Sequence, residues 1–200
     1  MIAANQNQAT LVSTLWPTGE RSSLMRATVL AVAGSALLAI SAKIQIPFYP
    51  VPMTMTTFMV LLLGMSLGWR LAAATILLYL AEGAAGMPVF AGTPEKGIGL
   101  AYMMGGTGGY LIGYLLAAVT CGWLAEHGWG RNVLSTAIAM LVGNVLIYVP
   151  GLLWLGALFG WDKPILEWGL TPFILGDLTK LALAAVVLPM AWKLTQARND

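Results

Sequence analysis

The sequence predicts an all-α integral membrane protein, a bundle of six transmembrane helices with long loops on the outer side, on the strength of three observations. Hydrophobic residues fill 58% of its 200 positions and charged residues only 9%, where a soluble domain carries about 25% charge. Mean hydropathy is +0.80. Apolar runs also recur at the length a bilayer requires, about 20 residues rising about 1.5 Å each through a core about 30 Å thick. Such a chain has too few polar residues to cover a water-facing surface, which excludes a soluble enzyme and a disordered tail. A nucleic-acid binder is excluded too, because the net charge of +2 comes from ten scattered basic residues with no run among them.

The spans fall near residues 24–42, 54–68, 70–85, 108–126, 132–159 and 172–193. The second and third are short and lie between close-set breakers, Pro50 and Pro52 before one and Gly86 and Pro88 after the other. The fifth is over-long, and Pro150-Gly151 predicts a kink or a break with residues 152–159 lying against the outer face. An even number of spans puts both termini on one side. That side holds Arg21, Arg26, Arg70, Arg131, Lys193 and Arg198, whereas Lys43, Lys96 and Lys163 fall opposite, so the termini are expected in the cytoplasm of a cell (inner or plasma) membrane. The domain layout is a polar cytoplasmic segment 1–23, a membrane domain 24–193 and a cytoplasmic tail 194–200. The first twenty residues lack the basic start and apolar middle of a secretory signal, so the first helix is expected to be retained. The loops expected outside, 43–53, 87–107 and 160–171, are long and rich in glycine, proline and aromatics, which marks that face as the one that meets a ligand.

Charges inside a span cost about 2.5–3.5 kcal/mol each on insertion scales and need compensation. Asp177 and Lys180 lie three positions apart on the last span and so share a helix face. They read either as a structural ion pair or as a ligand clamp, in which Asp177 accepts hydrogen bonds from ligand N–H groups and Lys180 donates to a carbonyl or carboxylate. Every span that starts outside carries a threonine near its first turn: Thr54, Thr107 before Gly108, and Thr171 before Pro172. Each fits ordinary capping, but three positive helix ends on one face also favour an anion. Asn144 and Tyr148, one turn apart on the fifth span, suit interhelical hydrogen bonds or ligand contact. Glu82, near the outer end of the third span, opposes the helix dipole and is expected to face water or a cation. Phe48, Tyr49, Phe90, Tyr102 and Tyr110 fit stacking on a ligand and an interfacial belt equally well. On the first span Ala27, Ala31, Ser35 and Ala39 form a small-residue ridge, suited to internal packing or to docking of a separate membrane subunit. One cysteine and one histidine leave no disulfide and no metal cage, and His127 reads as part of a solvated inner connection.

Five blocks in order carry a family resemblance: Ile46 to Thr54 (IPFYPVPMT), Tyr79-Leu80 with Gly86 to Gly92 (GMPVFAG), Gly106 to Leu111 (GTGGYL), Gly143-Asn144 with Ile147-Tyr148 and Gly151, and Gly176 to Lys180 (GDLTK). Together they resemble the BioY family, the biotin-specific S components of energy-coupling-factor transporters. The resemblance implies an S-component-like bundle that captures biotin outside, with a transmembrane coupling subunit and two cytoplasmic ATPases as partners. ATP would be used by those partners, since this chain has no Walker sequence and needs no cofactor of its own. It implies a substrate site around Asp177, Lys180, Asn144, Tyr148, Thr54, Thr107, Gly108 and Glu82, a docking ridge at Ala27, Ala31 and Ser35, and a lid in 43–53. Gly106 stands where the family commonly has proline and Thr56 where it often has glutamine, so Thr56 is not among the expected contacts. The alternatives are an S component for another vitamin and a stand-alone secondary carrier or channel using the Asp177/Lys180 pair. An intramembrane protease fits poorly, with the one histidine in a loop and one aspartate within the spans.

Overall fold

The computed structural model describes residues 10–16 and 20–197. Parts of the expected end segments 1–23 and 194–200, Arg198 among them, lie outside the described residues. Within them the chain forms α1 (Leu11–Leu15), α2 (Glu20–Lys43), α3 (Thr56–Leu67), α4 (Trp69–Ala84), α5 (Gly99–Met103), α6 (Gly108–Glu126), α7 (Val133–Phe159), α8 (Ile165–Gly169) and α9 (Ile174–Ala197). A 3-10 turn, Thr171–Phe173, leads into α9. Two short strands, β1 (Gln45–Ile46) and β2 (Met53–Thr54), pair antiparallel with Gln45 opposite Thr54 and Ile46 opposite Met53. Among the described residues, four stretches are long and apolar enough to cross a membrane: Ser23–Lys43, Gly108–Glu126, Val133–Phe159 and Ile165–Thr195. The other two expected spans are α3 with 12 residues and α4 with 16, about 18 and 24 Å of helix.

The sequence builds the bundle around α6, eleven of whose residues are buried. Small residues let its neighbours approach its backbone. A Cβ on Gly113 would lie 2.6 Å from Ile147 Cα of α7, and one on Gly122 would lie 2.4 Å from the Trp69 nitrogen of α4. Of the kink or break expected at Pro150-Gly151, the contact with α7 explains why the break does not occur. Pro150 does not break α7, which runs unbroken through it to Phe159. The backbone of α6 passes close on both sides of the proline, with Gly109 against the Pro150 carbonyl and Gly113 against Ile147. Packing along the whole helix thus offsets the one hydrogen bond that proline removes.

Two more expectations are corrected. Ser35 and Gly34 of the α2 ridge are buried, and a Cβ on Gly34 would meet Thr75 Cγ2 of α4 at 2.6 Å. At Ser35 the ridge is therefore a contact inside the chain; Ala27 and Ala31 are half-buried. The large apolar residues that α2 exposes are others, Leu24, Met25, Val29, Val32, Leu37 and Ile40. Glu82 is half-buried and meets no cation among the described residues; its carboxylate accepts a short hydrogen bond from the Ser35 hydroxyl, one satisfied polar contact between α2 and α4. At the α3–α4 corner, Gly68 turns at φ +80° and Glu126 Oε1 accepts the Trp69 N–H at 3.2 Å, placing a carboxylate at the positive end of α4.

Candidate ligand-binding site

The first turns of α3, α6 and α9 converge on one cavity holding about 560 Å³ of atom-free space, part of it open to solvent. Its polar wall comes from α3, α7 and α9. Asp177, in the first turn of α9, meets Lys180 at 2.9 Å, with side chains 10% and 11% exposed. Lys180 Nζ also donates to the Thr54 carbonyl at 2.8 Å and to Thr57 Oγ1 at 3.0 Å, so all three of its protons are placed. Tyr148 donates to the other carboxylate oxygen of Asp177 in a short hydrogen bond. The pair is thus neutral as a unit and nearly saturated, and the spare acceptor capacity lies on Asp177, since a carboxylate has about four lone-pair positions.

The remaining wall is aromatic. Tyr79 of α4 sets its edge on Phe90 at 5.3 Å, and Phe90 stacks on Tyr102 at 4.9 Å between centroids and 18° between planes. Tyr110 meets Tyr148 edge-on at 6.1 Å and donates its hydroxyl to the Gly169 carbonyl at 2.8 Å. Burial pushes the Tyr102 phenol above its ordinary value near 10, against a smaller opposing effect of Thr107, so it remains a neutral hydroxyl. Val51 and Pro52, from the loop between β1 and β2, form part of the lining. The strand that follows, β2, lies on α9 where Gly176 has no side chain, since a Cβ there would sit 2.8 Å from Met53 Sδ. Phe48 adds an edge contact to Phe173 at 6.2 Å.

Of the residues singled out from the sequence, Asp177, Lys180, Tyr148, Thr54 and Thr107 line this cavity. Asn144 does not. It lines a smaller adjoining pocket of about 180 Å³ together with Thr57 and Lys180. Gly108 is a packing position, for a Cβ there would lie 2.1 Å from the Met103 carbonyl. Glu82 is turned to Ser35. Thr171 does not cap α9; its hydroxyl donates to the Leu166 carbonyl at 3.1 Å. Thr56, set aside on sequence, is buried and lines the cavity, as do Thr57, Tyr79, Tyr114 and Phe173. The signal for Tyr114 was present, because it follows Tyr110 by four residues and so shares its helix face.

A family model described as the BioY family matches residues 8–197. The chain belongs to the BioY family. "Probable biotin transporter BioY" of Pyrococcus horikoshii is 37% identical over 152 residues, which span 76% of this chain and 87% of that protein. "Biotin transporter BioY" of Thermotoga maritima is 35% identical over 167 residues, or 82% and 94% of the two chains. In three dimensions the chain matches a crystal structure of the S-component for biotin from an ECF-type ABC transporter, with a TM-score of 0.74, 24% identity and coverage of 88% and 95%. Membership of this family makes the chain a substrate-binding transport component and not an enzyme.

Proposed function

We propose that the chain captures biotin at the outer face of a cell membrane and delivers it inward as the S component of an ATP-driven importer. One observation carries this reading: a charge-neutralised carboxylate, Asp177, stands in the wall of a cavity that seven aromatic side chains also line. Biotin is chemically matched to that arrangement, since its ureido ring offers N–H donors to a carboxylate acceptor while its fused ring carbons suit tyrosine and phenylalanine faces. Lys180 acts here as the counter-ion to Asp177, because its own donors are placed within the protein. The loop 43–53 serves as the cover and the start of α6 at Thr107 as the neighbour of the ligand's acidic end. Six spans with both termini in the cytoplasm, α3 and α4 being short ones, complete the topology. A transmembrane coupling subunit and two ATPases are the partners, and Ala27 and Ala31 remain the positions of the α2 ridge at which docking is expected.

The test is equilibrium binding of labelled biotin to the detergent-purified chain without partners. Saturable binding at one site per chain, no turnover, and no competition by thiamine or riboflavin support the reading. Absence of saturable biotin binding overturns it, and saturable binding of another vitamin assigns the cavity to that ligand instead.

A further inference from the structure

Lys43 ends α2 and has no carboxylate partner among the described contacts. Its ammonium instead crosses to the loop after α4 and donates to the Phe90 carbonyl at 3.0 Å, the Thr93 carbonyl at 3.2 Å and Thr93 Oγ1 at 3.0 Å. The Thr93 hydroxyl passes its own proton to the Phe90 carbonyl at 2.7 Å, so one lysine and one threonine close a fully bonded clasp. The clasped residue is the one that shapes the cavity. Phe90 is 1% exposed, stacks on Tyr102 and presses the tip of its ring on bare α4 backbone, where a Cβ on Gly83 would fall 2.0 Å from Cζ. No other polar side chain among the described contacts ties the 90–93 stretch to α2.

From this juxtaposition we infer that Lys43 is a positioning residue for ligand retention. By fixing the 90–93 loop it keeps Phe90 in the cavity wall, and without it the wall swings and bound ligand leaves faster. The inference rests on the cavity being the ligand site. Lys43 is not among the residues that line the cavity; it acts through Phe90.

The test compares Lys43→Met, which keeps the stem and removes the ammonium, with Phe90→Leu and the double variant, in the full-length protein in detergent. Charge-assisted hydrogen bonds to a partly exposed group predict a biotin dissociation rate about five- to tenfold faster in Lys43→Met, with association within about threefold of wild type. Lys43→Arg, which keeps the charge and donors, is expected to restore most of the slow dissociation. The double variant is expected to dissociate no faster than the faster single variant, because both changes act on one wall. Unchanged dissociation in Lys43→Met, or multiplied effects in the double variant, overturns the inference. Amide exchange separates this failure from failure of the biotin reading. In Lys43→Met without ligand, the Lys96 and Gly97 amides, bonded to Gly92 and Pro94 at 2.8 and 2.9 Å, are expected to exchange faster. Unchanged exchange there refutes the clasp whatever the ligand is.

Discussion

Replacing Asp177 separates what the ion pair contributes to the fold from what it contributes to the ligand. Asp177→Asn removes the negative charge facing Lys180 but leaves that ammonium its bonds to the Thr54 carbonyl and Thr57 Oγ1. Breaking one side of a buried pair costs about 3–5 kcal/mol, and the two surviving bonds place this case at the lower end, about 3 kcal/mol. Ligand N–H groups lose a carboxylate acceptor worth about 1.5–3 kcal/mol per bond, so two such bonds replaced by weaker amide contacts cost about 3 kcal/mol in affinity. That is about a hundredfold in Kd, at about 1.4 kcal/mol per tenfold. Stability is read from thermal unfolding in detergent and affinity from calorimetry with biotin. The double change Asp177→Leu with Lys180→Met is the decisive control: removing both charges is expected to return stability to near wild type while binding stays lost. Asp177→Asn that folds and binds biotin within threefold of wild type refutes the reasoning. So does a double variant that binds.

Lys180→Met alone is expected to lower stability about as much as Asp177→Asn yet weaken binding less; affinity loss equal to that of Asp177→Asn would show that Lys180 grips the ligand itself. Ser35→Ala leaves the Glu82 carboxylate without its partner and is expected to cost about 1–3 kcal/mol in thermal unfolding, whereas Glu82→Gln costs less because the amide can keep the bond. Gly113→Ala, whose new methyl would stand 2.6 Å from Ile147 Cα, is expected to destabilise by about 1–3 kcal/mol, measured the same way. Ala31→Leu is expected to spare biotin binding and weaken co-purification with a coupling subunit; normal assembly would discard α2 docking at that position.

The long helices were legible because membrane length and apolarity leave little else for residues 108–126 or 132–159 to do, and the Gly68 corner showed itself as a breaker between two apolar runs. The five-residue helices α1, α5 and α8 and the β1–β2 hairpin were not, since so short a stretch holds barely one helical repeat. That Asp177 and Lys180 touch was legible from spacing and from the cost of burying either alone. The partner of Glu82 was hidden for a related reason. Sequence places a residue along a helix but does not say which neighbour it faces, and a lone serine on α2 carries no signal that it will answer a carboxylate 47 positions away. The aromatic wall was hidden because rings at membrane depth serve a belt or a pocket equally well, and only packing sorts Phe90, 1% exposed, from Tyr49, 82% exposed.

The bonds of Lys180 have a consequence for selectivity. A bare carboxylate in an aromatic cavity would favour cationic ligands, through its own charge and through the rings. Here Lys180 occupies one oxygen of Asp177 and is fixed by two further bonds, so a second cation would bring two positive groups onto one carboxylate. The site is thereby set for neutral N–H donors. 2-Iminobiotin, whose guanidino group is cationic at neutral pH, tests this with nearly unchanged shape. It is expected to bind well below biotin at neutral pH and to gain affinity as rising pH removes its proton, while biotin stays flat over the same range. An iminobiotin affinity equal to that of biotin at neutral pH, or one that falls as its charge is lost, would mean that Lys180 yields its place to the ligand and that the pair selects for charge.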